Sequence, residues 1–147
     1  MTVAGIEDRD WSTSWRQFFR PQRITDRLMV LPAWDDLPPD FRGEVIRMDP
    51  GPAFGTGQHP TTRMCLEEVE RRVAPGVRLL DLGTGSGILS IAAVKLGAAS
   101  ALALDLDSVA VQAARANCRH NSVSRKVAVL QGTLPHPRAR SGGFDLV

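Results

Sequence analysis

The chain has 147 residues, of which 43% are hydrophobic and 23% are charged, and its formal net charge is +2. A chain of this length and balance can bury a core without disulfides or metal ions, so we expect a folded domain rather than a disordered segment. The small net charge, with the basic residues scattered along the chain, argues against direct nucleic-acid binding.

Cysteine usage and hydropathy indicate the expected location. The chain has two cysteines, Cys65 and Cys118, without the spacing of a metal site, and we expect both to be buried, reduced thiols. The sequence shows no signal peptide and no apolar run approaching the roughly 20 residues that span a bilayer. We therefore predict a cytoplasmic protein that does not associate with membranes.

The first 48 residues predict a helix followed by short strands. Four aromatic side chains spaced i, i+4, i+7 and i+8 form one apolar stripe on a helix over residues 7–19, namely Trp11, Trp15, Phe18 and Phe19. Pro21 ends this helix. Short apolar runs then predict strands at residues 28–31 and 45–48. We interpret residues 1–48 as a linker helix with short N-terminal strands.

A loop and a helix open the second part of the chain, residues 49–147. Residues 49–60 are rich in glycine and proline, which predicts a defined loop that can lie close to a ligand. His59 in this loop could be a base or a structural residue. A helix is expected to follow, with Thr61 or Thr62 as its N-cap.

After this helix, short apolar stretches alternate with helical stretches. The expected strands cover residues 77–82, 101–106, 126–131 and 144–147. The expected helices cover residues 86–96 and 108–121, and Asp107 is expected to cap the second. This alternation predicts a parallel sheet with right-handed crossovers, an α/β fold of the Rossmann-like type. Because the sequence stops on the apolar residues of a fourth strand, we expect the sheet to be incomplete and the chain to be part of a longer protein.

The turn after the first parallel strand shows the strongest ligand-binding signal. Glycine occupies three alternate positions there, Gly83, Gly85 and Gly87, so the backbone can bend sharply and approach a ligand closely. Asp105 ends the next strand, 22 residues after Gly83. A carboxylate at that place can accept hydrogen bonds from both ribose hydroxyls of a nucleoside.

Dinucleotide sites and S-adenosylmethionine sites both use an acid that binds ribose, so Asp105 does not distinguish between them. The spacing of the glycines is the feature that does. Dinucleotide sites use G-x-G-x-x-G to admit a pyrophosphate, whereas position 88 here is Ile. Asp81 lies two residues before the first glycine, where a carboxylate would repel a pyrophosphate but suit the ammonium and sulfonium charges of S-adenosylmethionine. The motif therefore favours a methyl donor. Thr133, after the third strand, is either a contact for adenine or an ordinary loop residue.

Two stretches together resemble the ribosomal protein L11 methyltransferase family (PrmA type), which belongs to the class I S-adenosylmethionine-dependent methyltransferases. The more specific stretch is Asp49–Thr62, D-P-G-P-A-F-G-T-G-Q-H-P-T-T, and the second is L-D-L-G-T-G-S-G-I-L at residues 80–89. The resemblance implies that the methyl donor is held at Thr62, Gly83 and Asp105. It also implies methylation of lysine and N-terminal amines of a large-subunit ribosomal protein at the base of the stalk.

The resemblance further implies that the chain is a fragment. The family has a small substrate-recognition domain before the aromatic helix and a donor-binding asparagine in an N-I-L segment beyond the fourth strand, and residues 1–147 include neither. The predicted cofactor-binding residues are Thr62, Asp81, Gly83, Gly85, Gly87, Asp105 and Thr133. No catalytic side chain and no metal ligand are predicted.

Alternatives from three classes stay open. The chain could belong to a methyltransferase for another protein, a small molecule or a nucleic-acid base. It could also be a non-catalytic domain that only binds the donor. A nicotinamide-dependent oxidoreductase is the most distant alternative.

Overall fold

The computed structural model describes residues 20–49, 60–140 and 143–147. The aromatic helix predicted over residues 7–19, most of the glycine-rich loop and His59 lie outside these residues. Among the described residues, no helix is both long enough and apolar enough to cross a bilayer.

A small three-stranded sheet comes first in the chain. β1 (Gln22–Arg23) pairs antiparallel with β2 (Leu28–Pro32), and β2 pairs parallel with β3 (Glu44–Met48). All five residues of β2 are buried, as expected for a continuous apolar run in the centre of a sheet. The two strands predicted in this region are confirmed, whereas β1 is too short to have a sequence pattern of its own.

The second sheet follows the predicted alternation of strands and helices. Its elements, in chain order, are α1 (Pro60–Arg72), β4 (Arg78–Leu82), α2 (Ile88–Lys95), β5 (Ser100–Asp105), α3 (Ser108–His120) and β6 (Val127–Gln131). The three strands are parallel, in the order β4-β5-β6. The predicted α/β fold with a Rossmann-like parallel sheet is confirmed.

The end of the chain returns to the free edge of β4. Leu146 forms a parallel bridge with Leu79, and its carbonyl oxygen accepts a hydrogen bond from the Leu80 N–H at 2.8 Å. The resulting lateral order, β6-β5-β4 and then the segment at residue 146, is the order in which a Rossmann-type sheet begins. The predicted fourth strand is thus represented by a single bridge.

The first residues of α1 and α3 explain where these helices begin. Asp107 caps α3, because its carboxylate accepts a hydrogen bond from the Val109 N–H at 2.9 Å, as predicted. The N-cap prediction for α1 is wrong, since the helix begins at Pro60 and both threonines lie in its first turn. Proline suits the first helical position because its missing N–H would have no partner there.

One hydrophobic core joins the two sheets. Its buried members include Leu28, Ile46 and Met48 from the small sheet together with Ile91 of α2 and Val111 of α3. On the opposite face of β4 and β5, a second cluster of leucines is covered by the segment that follows β6. The small sheet is therefore packed directly against the helices that flank the parallel sheet.

The cysteines match the prediction only in part. Both are free thiols, but Cys118 is buried and Cys65 is partly exposed. Burial raises the pKa of the Cys118 thiol to about 11, so this side chain is protonated at neutral pH. Cys65 is less buried because it lies on the side of α1 that faces a cavity rather than the core.

Gly87 provides a stability prediction. Its φ is +84°, and a Cβ placed there would lie 3.1 Å from the Ala114 Cβ on α3. We expect Gly87→Ala to lower the free energy of unfolding by about 3 kcal/mol, since it adds backbone strain to overpacking. Gly76→Ala is the matched control, because Gly76 has a φ of +91° and no atom near that position. Urea unfolding should show a loss of about 1 kcal/mol in the free energy of unfolding for the control. Equal losses in the two variants would contradict the contribution of overpacking.

Candidate functional site

The glycine-rich turn is fixed to the neighbouring strand by its backbone. The N–H groups of Gly83 and Thr84 both donate to the carbonyl oxygen of Leu104, at 2.8 and 3.0 Å. Gly83 has a φ of +70°, and the space where a side chain would begin is empty to 4 Å. The turn therefore presents bare backbone to an open space at the carboxyl edge of the parallel sheet, where α/β folds of this type bind ligands.

Positive φ angles in this turn also delay the following helix. The prediction that this helix begins at Ser86 is wrong, because α2 begins at Ile88 and Gly87 is its left-handed N-cap. A right-handed helix cannot include residues in the left-handed region, so the turn stays open for two residues longer than the sequence pattern indicates.

Asp105 is oriented by two backbone amides. Its Oδ2 accepts a hydrogen bond from the Gly85 N–H at 2.9 Å, and its Oδ1 accepts one from the Asp107 N–H at 2.9 Å. The side chain remains partly exposed. The carboxylate is thus held against the glycine turn and still has capacity to accept further hydrogen bonds, since two carboxylate oxygens offer about four acceptor sites.

Asp81 lies beneath the turn and has partners within the protein. The residue is 7% exposed. Its Oδ2 accepts hydrogen bonds from the hydroxyls of Thr84, at 2.7 Å, and Ser90, at 2.8 Å. The carboxylate therefore ties the turn to the first helical turns of α2. Direct contact between Asp81 and a ligand stays a prediction.

Burial raises the pKa of the Asp81 carboxyl above its ordinary value of 3.8. The hydroxyls of Thr84 and Ser90 oppose this rise by stabilising the charged form, and the negative charge of Asp105 adds to it. Two carboxylates that influence each other at the same edge of the sheet create a region of negative potential. Such a region favours a ligand with positive charge over one with phosphates.

The segment that follows β6 lies at the same edge of the sheet, beside the end of β5. The Gly132 N–H donates to the backbone oxygen of Asp105 at 2.8 Å, which places the exposed Thr133 next to the end of β5. Leu106, directly after Asp105, is 69% exposed. Its carbonyl oxygen accepts a hydrogen bond from the Gln131 side chain at 3.0 Å. An exposed apolar side chain beside the Asp105 carboxylate is suited to pack against a flat aromatic base.

The predicted residue Thr62 lies on α1 rather than at the carboxyl edge of the parallel sheet. It is partly buried in the first turn of the helix, three residues before Cys65. Cys65 lines a cavity of about 420 Å³ together with Asp81 and Leu82. Residues three apart share a helix face, so Thr62 lies on the side of α1 that faces β4. Within the described part of the chain, no hydrogen bond joins Thr62 to the glycine turn.

The structure thus places six of the seven predicted residues at one edge of the sheet: Asp81, Gly83, Gly85, Gly87, Asp105 and Thr133. Among the described residues, no group of three or more histidine, cysteine, aspartate or glutamate side chains could hold a metal ion. The arrangement can bind and orient a small molecule that has a ribose and a positive charge.

A family model described as "Ribosomal protein L11 methyltransferase (PrmA)" matches residues 1–147, the whole chain. The chain belongs to the PrmA family. The resemblance found in the two glycine-rich stretches is therefore confirmed.

Curated relatives agree with this PrmA assignment. A ribosomal protein L11 methyltransferase from Exiguobacterium sp. is 48% identical over 147 residues, which are 100% of this chain and 46% of the relative. The protein of the same name from Bacillus cytotoxicus is 47% identical over 135 residues, which are 91% of this chain and 43% of the relative. The chain therefore spans less than half the length of the curated PrmA relatives that it matches.

A solved structure supports the PrmA fold directly. The ribosomal protein L11 methylase from Lactobacillus delbrueckii subsp. bulgaricus superposes with a TM-score of 0.70 at 39% sequence identity. The match covers 76% of this chain and 57% of that protein. The arrangement of strands and helices in the described chain is accordingly that of a PrmA-type protein.

Sequence reasoning missed several residues that shape this PrmA site. The hydroxyls of Thr84 and Ser90 donate hydrogen bonds to the Asp81 carboxylate. An acid within an apolar strand is the sequence signal for such partners, because a buried carboxylate requires nearby hydrogen-bond donors. Leu106 is predicted to end a strand, although an apolar residue directly after the strand-end acid Asp105 is a usable signal. Asn117 lies inside α3 and has no local signal.

Proposed function

We propose that this chain is the donor-binding part of an S-adenosylmethionine-dependent protein methyltransferase. The observation on which this rests is the Asp105 carboxylate, held against a bare-backbone turn by the Gly85 amide at the carboxyl edge of the sheet. The carboxylates of Asp81 and Asp105 favour the positive sulfonium and ammonium groups of this donor. PrmA family membership supports the same cofactor.

In this proposal, residues of the chain divide the donor between them. Asp105 accepts the ribose hydroxyls, and the backbone at Gly83 and Gly85 allows close approach of the donor. Leu106 and Thr133 flank the adenine, and Asp81 provides negative charge below the methionine end. Thr62 closes the site from α1.

The bound donor supplies the electrophilic methyl group, so the chain needs no nucleophilic side chain of its own. Its task is to align the donor with an unprotonated amine and to exclude water, which lowers the barrier to the transfer. The relatives' names include ribosomal protein L11, so we infer that the whole protein methylates this acceptor. The family resemblance implies that the methylated groups are lysine and N-terminal amines at the base of the large-subunit stalk. The cytoplasmic location stays a prediction in line with that acceptor.

Calorimetric titration of the chain tests the cofactor. We expect S-adenosylmethionine and S-adenosylhomocysteine to bind with one site and NADH to give no heat of binding. Binding of NADH instead of the methyl donor would contradict the proposal.

A transfer assay tests the acceptor. The whole protein is incubated with methyl-labelled donor and ribosomal protein L11, and the label on the acceptor is counted. Label on L11 supports the methyltransferase function. Donor binding without transfer would indicate a domain that binds the donor only, and label on other cell proteins but not on L11 would indicate a different acceptor.

A further inference from the structure

Two asparagines near the end of α3 form a buried polar link between distant segments. Asn117 is 2% exposed and lies in α3, and Asn121 is 7% exposed and is the C-cap of that helix. A buried amide without partners costs free energy, so such residues are kept where each polar atom is satisfied. Both side chains meet this condition.

Asn117 joins two parts of the candidate site. Its Nδ2 donates to the carbonyl oxygen of Ser86 in the glycine turn at 3.0 Å. Its Oδ1 accepts a hydrogen bond from the Asp49 N–H at 3.2 Å. A single side chain thus bonds the turn on one side and, on the other, the segment that leaves β3 toward the glycine-rich loop and α1.

Asn121 makes a similar link without touching the turn. Its Oδ1 accepts a hydrogen bond from the Arg47 N–H at 2.7 Å, and its Nδ2 donates to the carbonyl oxygens of Arg47 and Asn117, both at 2.7 Å. It therefore fixes β3 to the end of α3. Asn117 bonds the glycine turn and Asn121 does not. A comparison of the two residues therefore distinguishes an effect on the fold from an effect on the candidate site.

We propose that Asn117 is a positioning residue that sets the distance between the glycine turn and the segment at Asp49. Ser86 directly follows Gly85, whose N–H bonds Asp105, so a displaced Ser86 carbonyl moves the amide that orients the ribose-binding acid. Asp49 is the last described residue before α1, which carries Thr62, the residue proposed to close the site. This inference rests on the proposed donor site and deepens it, because donor affinity then depends on a residue that does not touch the donor.

Binding and stability are measured together on the 147-residue chain and three variants. We expect Asn117→Ala to weaken S-adenosylhomocysteine binding by about tenfold, and Asn121→Ala by less than about twofold, although both lower the melting temperature. Asn117→Asp keeps the bond to Asp49 but loses the one donated to Ser86, so it should weaken binding about as much as Asn117→Ala.

Hydrogen exchange in the unaltered chain is a second measurement. Added S-adenosylhomocysteine should slow exchange of the Asp49 amide, which is bonded to Asn117. Equal losses of affinity in the Asn117 and Asn121 variants, or unchanged exchange at Asp49, would overturn the positioning role while the donor site stands. Failure of the unaltered chain to bind the ligand would overturn the proposed function and this inference together.

Discussion

Asp105→Ala is expected to weaken binding of S-adenosylhomocysteine by about 100-fold, or about 2.7 kcal/mol. The carboxylate is proposed to accept hydrogen bonds from both ribose hydroxyls, and a hydrogen bond to a charged group is worth about 1.5–3 kcal/mol. The same side chain also accepts the Gly85 N–H, so its loss leaves the turn without that anchor. Isothermal titration calorimetry measures the change.

Asp107→Ala is the matched control for this experiment. Asp107 is an exposed acid two residues away, whose carboxylate caps α3. Its removal should cost about 1 kcal/mol of stability and leave ligand affinity nearly unchanged. To separate ribose recognition from anchoring of the turn, the ligand's 2′-deoxy analogue is titrated as well. A loss of affinity on Asp105→Ala that is equal for both ligands would contradict the ribose contact.

Asp81→Asn is expected to weaken S-adenosylhomocysteine and S-adenosylmethionine binding, the latter by about 30-fold, or about 2 kcal/mol. The buried carboxylate is the negative charge below the proposed methionine end, and asparagine keeps its shape without its charge. Because the sulfonium adds a positive charge, the methyl donor should lose more affinity than S-adenosylhomocysteine. Asp107→Asn removes the same charge at the same edge of the sheet and should leave both affinities almost unchanged. Equal losses for the two ligands would contradict an electrostatic role of Asp81.

The same substitution should stabilise the ligand-free chain at neutral pH. Burial raises the pKa of Asp81 above 3.8 in the folded chain, so the folded state binds this proton more tightly than the unfolded state does. The stability that comes from this proton is full below pH 3.8 and is lost as the pH rises through the higher folded value. The melting temperature of Asp81→Asn should therefore lie closest to that of the unaltered chain below pH 3.8 and exceed it once the pH is above the raised folded pKa of Asp81. A difference that shrinks as the pH rises would contradict the raised pKa.

Much of the parallel sheet could be predicted from local patterns. β4, β5 and β6 lie within one residue of their predicted ranges. Parallel strands covered on both faces require continuous apolar runs, and such runs are visible in one sequence. The Asp107 cap was equally predictable, because its partner is only two residues away.

The errors and omissions have a common cause. α2 begins later than predicted because the turn's glycines adopt left-handed angles that glycine permits but does not require. β1 has two residues and exists because β2 offers it a partner. Asn117 has no signal in its own helix, since both of its partners lie in other segments.

The sequence by itself determined the order of the elements, the parallel sheet and the position of Asp81 and Asp105 at the ends of neighbouring strands. These properties depend on residues close together in the chain, whose burial and turn preferences are local. Only the tertiary structure decided that Thr84 and Ser90 satisfy Asp81 and that the Gly85 amide orients Asp105. It also decided that Asn117 bonds Asp49 across 68 positions of sequence. Such contacts depend on how separate segments pack, and a local pattern does not identify the partner.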